Sequence, residues 1–171
     1  MAESDTRVGS FYPEMIPGHP DHPREAAFEI VDLRDARGCG VVARIGFVPG
    51  ARLAQLSGVT VPERSLNTIQ IGPDLHMSDP WFCRYILHAC DPNARFDLTA
   101  LTLIARRHIA PGDLLSVDYG ATEDRLARQF ECHCGAADCR GWMMGRREKP
   151  TEEGRRVLAN RSVVSERPGR P

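Results

Sequence analysis

The apolar positions of this chain fall into many short runs of period two, broken by Pro-Gly and other turn residues, and few stretches show helical spacing. From Ala27 to Arg34, Phe28 and Ile30 alternate with Ala27, Glu29, Val31 and Leu33 and predict a first strand. Residues 41–45 predict a second, and 52–56, 67–71 and 97–104 read as further short strands. Residues 114–119 are continuous and apolar enough to form a buried last strand. Two short helices are predicted. Ser78 caps one that begins Asp79-Pro80-Trp81, with proline early in the first turn, and ends near Leu87; Thr122 caps another over 123–129. A weak repeat is also present: Ala43-Arg44-x-x-Phe47-x-Pro49-Gly50-x-x-Leu53 matches Ala105-Arg106-x-x-Ile109-x-Pro111-Gly112-x-x-Leu115. Each half reads as strand, Pro-Gly turn, strand, and two ordinary hairpins explain it as well as a duplication does. The prediction is a mainly β fold with short helices.

The ends differ from this middle. Residues 1–25 carry Pro13, Pro17, Pro20 and Pro23 among Gly, His and acidic residues, and predict an irregular N-terminal arm packed at most in part. Residues 146–171 have little apolar content and are expected to be a disordered tail. A length of 171 residues suits one domain with a real core, and a hydrophobic content of 42% with net charge −1 is that of an ordinary globular protein. Direct nucleic-acid binding is not expected, because phosphate neutralisation needs clustered positive charge. No run approaches the ~20 apolar residues of a membrane span. Polar, acidic residues 1–10 do not look like a signal peptide.

The cysteines change the picture most. The chain has six, and Cys132-x-Cys134-x4-Cys139 gathers three of them. A disulfide framework is unnecessary in a chain this rich in core, so metal in a reducing, cytoplasmic compartment is the better account. A structural zinc site wants four tetrahedral ligands, so a fourth must come from elsewhere, with His133 an adjacent rival. Cys39 and Cys83 are expected to be small buried hydrophobes.

Three separated motifs occur in order: Arg37-Gly38-Cys39-Gly40, then Arg84-Tyr85-Ile86-Leu87-His88-Ala89-Cys90-Asp91-Pro92-Asn93, then Ser116-Val117-Asp118-Tyr119-Gly120. With the cysteine-rich end, over residues 26–144, the chain resembles the SET-domain lysine methyltransferases, in a small single-domain form with a post-SET zinc-binding cluster. The resemblance implies a SET-domain fold, with small curled β-sheets and a threaded, knot-like C-terminal segment. It places the N-terminal arm at 1–25, the SET domain at 26–122, the post-SET zinc knot at 123–145 and the tail at 146–171. It makes Cys90 the fourth zinc ligand beside Cys132, Cys134 and Cys139.

The same resemblance implies an S-adenosylmethionine site. Arg37, Gly38, Cys39 and Gly40 correspond to a G-x-G motif whose backbone approaches the cofactor. Arg84 and Tyr85 match an Arg-Phe pair, with Arg84 pairing the cofactor carboxylate, and Leu87 and His88 offer main-chain groups to the adenine. Trp142 is expected to cover the adenine, or else merely to pack the tail. Tyr119 is the implied catalytic residue, helping to orient a neutral amine at the end of an apolar channel.

Three departures bear on substrate. Leu87 stands where the motif has Asn, Leu56 where a channel tyrosine is common, and Val117 where Phe or Tyr limits the number of methyls. Leu56, Val117 and Tyr119 would then line a wide, weakly polar substrate channel. The function implied is methyl transfer to a lysine amine of a protein or peptide. A small free amine or amino acid is the alternative acceptor, and a catalytically silent zinc-stabilised binding module is the alternative of another class. Of the 22 basic residues only Lys149 is lysine, a skew that fits a GC-rich genome and makes the protein a poor target for its own lysine methylation.

Overall fold

The computed structural model describes the backbone of residues 8–165 and the side chains of 8–161. Twelve short strands and few helical turns lie among these residues, in chain order β1 (Phe28–Asp32), β2 (Cys39–Ala43), β3 (Arg52–Gln55), β4 (Val59–Val61), β5 (Thr68–Gly72), β6 (Leu75–Ser78), a 3-10 turn (Cys83–Tyr85), β7 (Leu87–His88), β8 (Ala94–Asp97), β9 (Thr102–Ala105), β10 (Ser116–Val117), α1 (Tyr119–Thr122), β11 (Phe130–Glu131), β12 (Trp142–Met143) and α2 (Glu152–Ser165). They form five small sheets: β1-β2, β3-β9-β8, β4-β6-β5, β10-β7 and β11-β12. Among the described residues no helix is long and apolar enough to cross a membrane.

The repeat seen in the sequence is a structural one. Its halves are offset by 62 positions and pair with each other reciprocally. The Phe47 amide donates to the Ile109 carbonyl at 2.8 Å and the Ile109 amide to the Phe47 carbonyl at 2.9 Å. The Gly50 amide reaches Ala105 at 2.9 Å while its equivalent, Gly112, reaches Ala43 at 2.7 Å. Ala43 and Ala105 donate in turn to Asp113 and Ala51, each at 2.9 Å. Both turn glycines have positive φ, +83° and +93°, which L residues rarely adopt. The Pro-Gly turns are thus the two equivalent corners of a pseudo-twofold core.

Several elements differ from those predicted. The strand expected over 97–104 is split into β8 and β9, because Asp97 Oδ1 accepts the amides of Thr99 and Ala100, both at 3.1 Å, and turns the chain. The helix expected from Asp79 to Leu87 shrinks to the 3-10 turn. Ser78 does not cap it: the N-cap is Phe82, without a side-chain bond, and Asp79 Oδ1 accepts the Trp81 and Phe82 amides just before the turn. It stops because the Leu87 amide bonds Leu115 instead. No helix forms over 123–129, since the carbonyls of Glu123 and Asp124 accept from Arg146 and Arg147, both at 2.9 Å, and cannot serve amides four residues on.

The ends are more ordered than composition implies. Residues 152–165 of the expected disordered tail are helical, while 166–171 lie outside the described residues. In the arm, Tyr12 and Ile16 are 7% and 6% exposed and belong to the core, and Phe11 packs on Phe82 at 5.4 Å between ring centroids. Tyr12 is fixed at both faces of its hydroxyl, donating to buried Asp79 Oδ2 at 2.7 Å and accepting the Ser57 amide at 3.1 Å. Tyr12→Phe would leave both partners short of a bond. It should cost about 1–3 kcal/mol, the range for orphaning a buried polar group, measured by urea denaturation.

Candidate active site and cysteine cluster

Two motifs nearly thirty residues apart become neighbours through β7 and β10, which run parallel with Leu87 opposite Ser116 and His88 opposite Val117. A two-residue pair is too short to hold itself. Asn93 reinforces it, accepting the Ser116 amide at Oδ1 (2.9 Å) and donating from Nδ2 to the Leu114 carbonyl (2.8 Å). Leaving this pair, one chain leads to Cys90 and the other to Tyr119.

Tyr119 starts α1, a single turn capped by Asp118, which accepts the Gly120 amide at 2.9 Å. A β-carbon at Gly120 would lie 2.9 Å from Arg140 Nη1 and 3.1 Å from Met143 Cε, so the turn needs glycine to lie this close to the C-terminal segment. The Tyr119 hydroxyl donates to the Ile86 carbonyl at 2.7 Å. Burial first, then the charge of Glu123, raises its pKa, so the phenol keeps its proton.

His88 is packed against Tyr119 and Phe130, with ring centroids 5.3 and 6.0 Å away. Burial lowers its pKa to about 4, outweighing the nearby Asp118 carboxylate, so the ring is neutral at physiological pH. Its Nδ1 accepts the Tyr119 amide at 3.3 Å, which puts the ring proton on Nε2, facing Cys90 Sγ at 3.6 Å. One imidazole therefore bridges the cysteine cluster and the backbone of Tyr119.

Beside these residues opens a cleft of about 740 Å³. Of the expected site residues, Arg37, Cys39, Arg84, Leu87, His88 and Tyr119 line it, together with Cys132 and Cys134 of the thiol cluster. The others lie outside its wall. Gly38 holds the β1–β2 turn at φ +73°, and Gly40 is wedged against Leu114, 2.8 Å from where a β-carbon would sit. Tyr85 lies under the Arg84 guanidinium at 5.0 Å. Leu56 and Val117 are core residues, in the cluster against which Tyr119 packs.

Trp142 does not line the cleft. Its indole is buried beside Gly154 of α2 and donates to Gln129 Oε1 at 2.8 Å, so it packs the tail. Its neighbour across the β11–β12 pair, Glu131, and the preceding residue Phe130 line the cleft instead. Sequence reasoning missed Phe130, Glu123 and the 64–67 loop. The available signal for Phe130 was an aromatic two residues before the first clustered cysteine.

The four sulfurs of Cys90, Cys132, Cys134 and Cys139 all lie within 4.8 Å of one another, and those of Cys90 and Cys132 are 3.8 Å apart. A tetrahedron with metal–sulfur bonds of ~2.3 Å has edges of ~3.8 Å, so this donor set fits a four-coordinate metal. The Cys90 amide donates to Cys134 Sγ at 3.4 Å and the Arg140 amide to Cys90 Sγ at 3.3 Å, contacts that stabilise thiolates. His133 stays outside, exposed beside Glu131. Cys83 is buried as expected, but Cys39 is exposed at the cleft, because β2 begins at the sheet edge there.

The scaffold is mainly β, and beside its cleft it carries four thiols placed to hold a metal. The chain belongs to the SET domain family, whose model matches residues 3–120. It is similar to the methyltransferase flvH of Aspergillus flavus, 26% identical over 140 residues, 77% of this chain and 76% of that one. The histone-lysine N-methyltransferase met-2 of Caenorhabditis elegans is 36% identical over 72 residues, 36% of this chain but only 6% of that protein. Among solved structures, KRYPTONITE in complex with mCHG DNA and SAH shares the fold with a TM-score of 0.55 and 25% identity, over 72% of this chain and 30% of that one.

The Trp142 contact yields a test. Gly154→Ala should gain about 1 kcal/mol of helix propensity, but the added methyl collides with the indole ring. Overpacking costs of about 1–3 kcal/mol win. The variant should melt earlier and be cut faster by trypsin at Arg155 and Arg156.

Proposed function

We propose that this SET-domain methyltransferase uses S-adenosylmethionine to methylate the side-chain amine of a lysine in a protein or peptide. The observation that carries this reading is the Tyr119 hydroxyl, fixed on the Ile86 carbonyl at the wall of a cleft that two distant motifs build together. Its support from relatives is the similarity to histone-lysine N-methyltransferases over the shorter aligned region. Bound in the cleft, S-adenosylmethionine supplies the electrophilic methyl group.

The chain's own part is to bind, align and keep water out. Arg84 puts positive charge at the cleft where a carboxylate would bind, while Arg37 also lines the cleft but is paired with Asp35 at 2.7 Å. Tyr119, protonated and donating to Ile86, keeps its oxygen lone pairs for the incoming amine and for weak C–H···O contacts. Zinc on Cys90, Cys132, Cys134 and Cys139 would tie β11 and β12 to the β7 end, holding Phe130 beside Tyr119.

One feature favours a small free amine as a second reading. Gln70 of β5 is bonded on all sides to the segment after α1: its amide to Glu123 Oε1 at 2.9 Å, its Nε2 to Asp124 Oδ2 at 3.1 Å, and its Oε1 to the Asp124 amide at 2.7 Å. The clamp fixes Glu123 at the wall of a cleft of about 740 Å³, room that also suits a small free amine.

Purified protein, labelled S-adenosylmethionine and a cell lysate separate the readings. Label in precipitated protein supports lysine methylation, and label confined to the soluble fraction supports the small amine. Tyr119→Phe should lower either incorporation by roughly a hundredfold, the scale for losing one preorganised hydrogen-bond group. Full activity in that variant would remove Tyr119 from the chemistry. For the metal, Cys139→Ser should lower bound zinc from one per chain and loosen the C-terminal segment, seen by metal analysis and limited proteolysis. An unchanged fold and cofactor affinity would refute the zinc assignment.

A further inference from the structure

Glu123 is a costly residue for its position. It is 7% exposed, yet it lines the cleft. Its amide donates to the Tyr119 carbonyl at 2.9 Å, one helical turn back, which puts the two side chains on one face of that turn. Oε1 accepts the Gln70 amide at 2.9 Å and the Thr122 hydroxyl at 3.4 Å. Oε2 accepts nothing from the described residues. Nor is it sealed in: among the described residues His76 Nδ1 is the enclosed side-chain polar atom without a partner, so Oε2 keeps solvent contact on a residue that lines the cleft.

A neutral amide could hold the Gln70 amide equally well, without the penalty of burying a charge. Among the described residues no arginine is hydrogen-bonded to Glu123; Arg64 and Arg146 act on it only at longer range. The next carboxylate, Asp124, is already committed to Gln70, Arg146 and Arg147. What the arrangement lacks is a cation at Oε2.

We propose that Glu123 binds the cationic amine of the acceptor and takes its proton. This rests on the N-methylation reading above and names the group that readies the acceptor. An acceptor lysine has a pKa near 10.4 and enters as an ammonium ion, which cannot act as a nucleophile. One N–H bond of the ammonium breaks and an O–H bond forms on Oε2, so the carboxylate becomes a carboxylic acid and the amine keeps its lone pair. The proton then passes to water at the open side of the cleft. The groups facing Glu123 are the Gln70 amide, the Thr122 hydroxyl, the protonated Tyr119 phenol and, farther off, Arg64 and Arg146. Burial raises its pKa above the usual carboxylate range, which makes it a stronger base than an exposed carboxylate.

The test compares wild type with Glu123→Gln, which retains an oxygen for the Gln70 amide, and Glu123→Asp, which retains the charge. Full-length protein loaded with S-adenosylhomocysteine is titrated with n-butylammonium by calorimetry. Glu123→Gln should bind it roughly tenfold more weakly or worse, as for loss of a charge-assisted bond, with Glu123→Asp in between and S-adenosylhomocysteine affinity kept. In turnover, the kcat/KM deficit of Glu123→Gln should be largest near neutral pH and shrink as the pH approaches that of the free amine. Equal n-butylammonium affinity in wild type and Glu123→Gln, or parallel pH profiles, overturns the proposal. Loss of S-adenosylhomocysteine binding in Glu123→Gln also overturns it, by assigning Glu123 to the donor. If wild type binds n-butylammonium through Glu123 but methylates no amine, the cation site stands and the methyltransferase reading of the cleft falls.

Discussion

The parallel contact between β7 and β10 is the joint on which the rest of this molecule depends. It is only two residues long on each side, and isolated strand pairs of that length do not persist in water. The joint survives because Asn93 supplies both a donor and an acceptor to the Leu114–Ser116 backbone, and because Leu115 and Val117 are wholly buried on its inner side. Everything with chemical potential leaves from this joint: Cys90 three residues beyond Leu87, Tyr119 two beyond Val117, and His88 between them. The pseudo-twofold pairing of the two Pro-Gly units supplies the rigid body beneath it.

Much of this was legible in the chain because the informative residues are contiguous. Asp118-Tyr119-Gly120 carries its own geometry: a capping aspartate, an aromatic and a glycine that lets Arg140 and Met143 come close. The four cysteines are similarly plain, since few arrangements of three close thiols are compatible with leaving them unpaired. The positions of β1, β2, β3 and β5 followed from alternation, while the strand expected over 114–119 is only the two residues of β10. The repeat was visible as Pro-Gly at equal spacing that two ordinary hairpins explained as well.

What was illegible depended on partners distant in sequence. The 123–129 segment has an adequate cap and helical residues, but its carbonyls are taken by Arg146 and Arg147, about twenty residues later. Trp142 and Phe130 sit near each other across a strand pair, and nothing local says which faces the cleft; Gly154, a small residue on α2, makes room for the indole on the other side. The tail looked too polar to order itself because its contacts include the Trp142 indole at Gly154 and Arg161 against Gly141 and Cys139, which an apolar-stripe pattern does not register. Asp97 ended a strand through its side chain, a local effect that a hydrophobicity pattern does not register.

The site also shows how the cysteine cluster can bear on the turn that carries Tyr119. Neutral His88 accepts from the Tyr119 amide on one ring nitrogen and faces Cys90 with the other, so the tautomer is dictated from both ends. With Nδ1 accepting from the backbone that positions the phenol, the ring proton sits on Nε2, toward the Cys90 sulfur. Arg140 adds a second link, bonding Cys90 Sγ through its backbone amide and Asp118 through its guanidinium. Two routes therefore run from one sulfur to the single helical turn that carries Tyr119 and Glu123. The order of the cysteine cluster is consequently part of the alignment of the cleft, because the same short turn cannot shift for one without loosening the other.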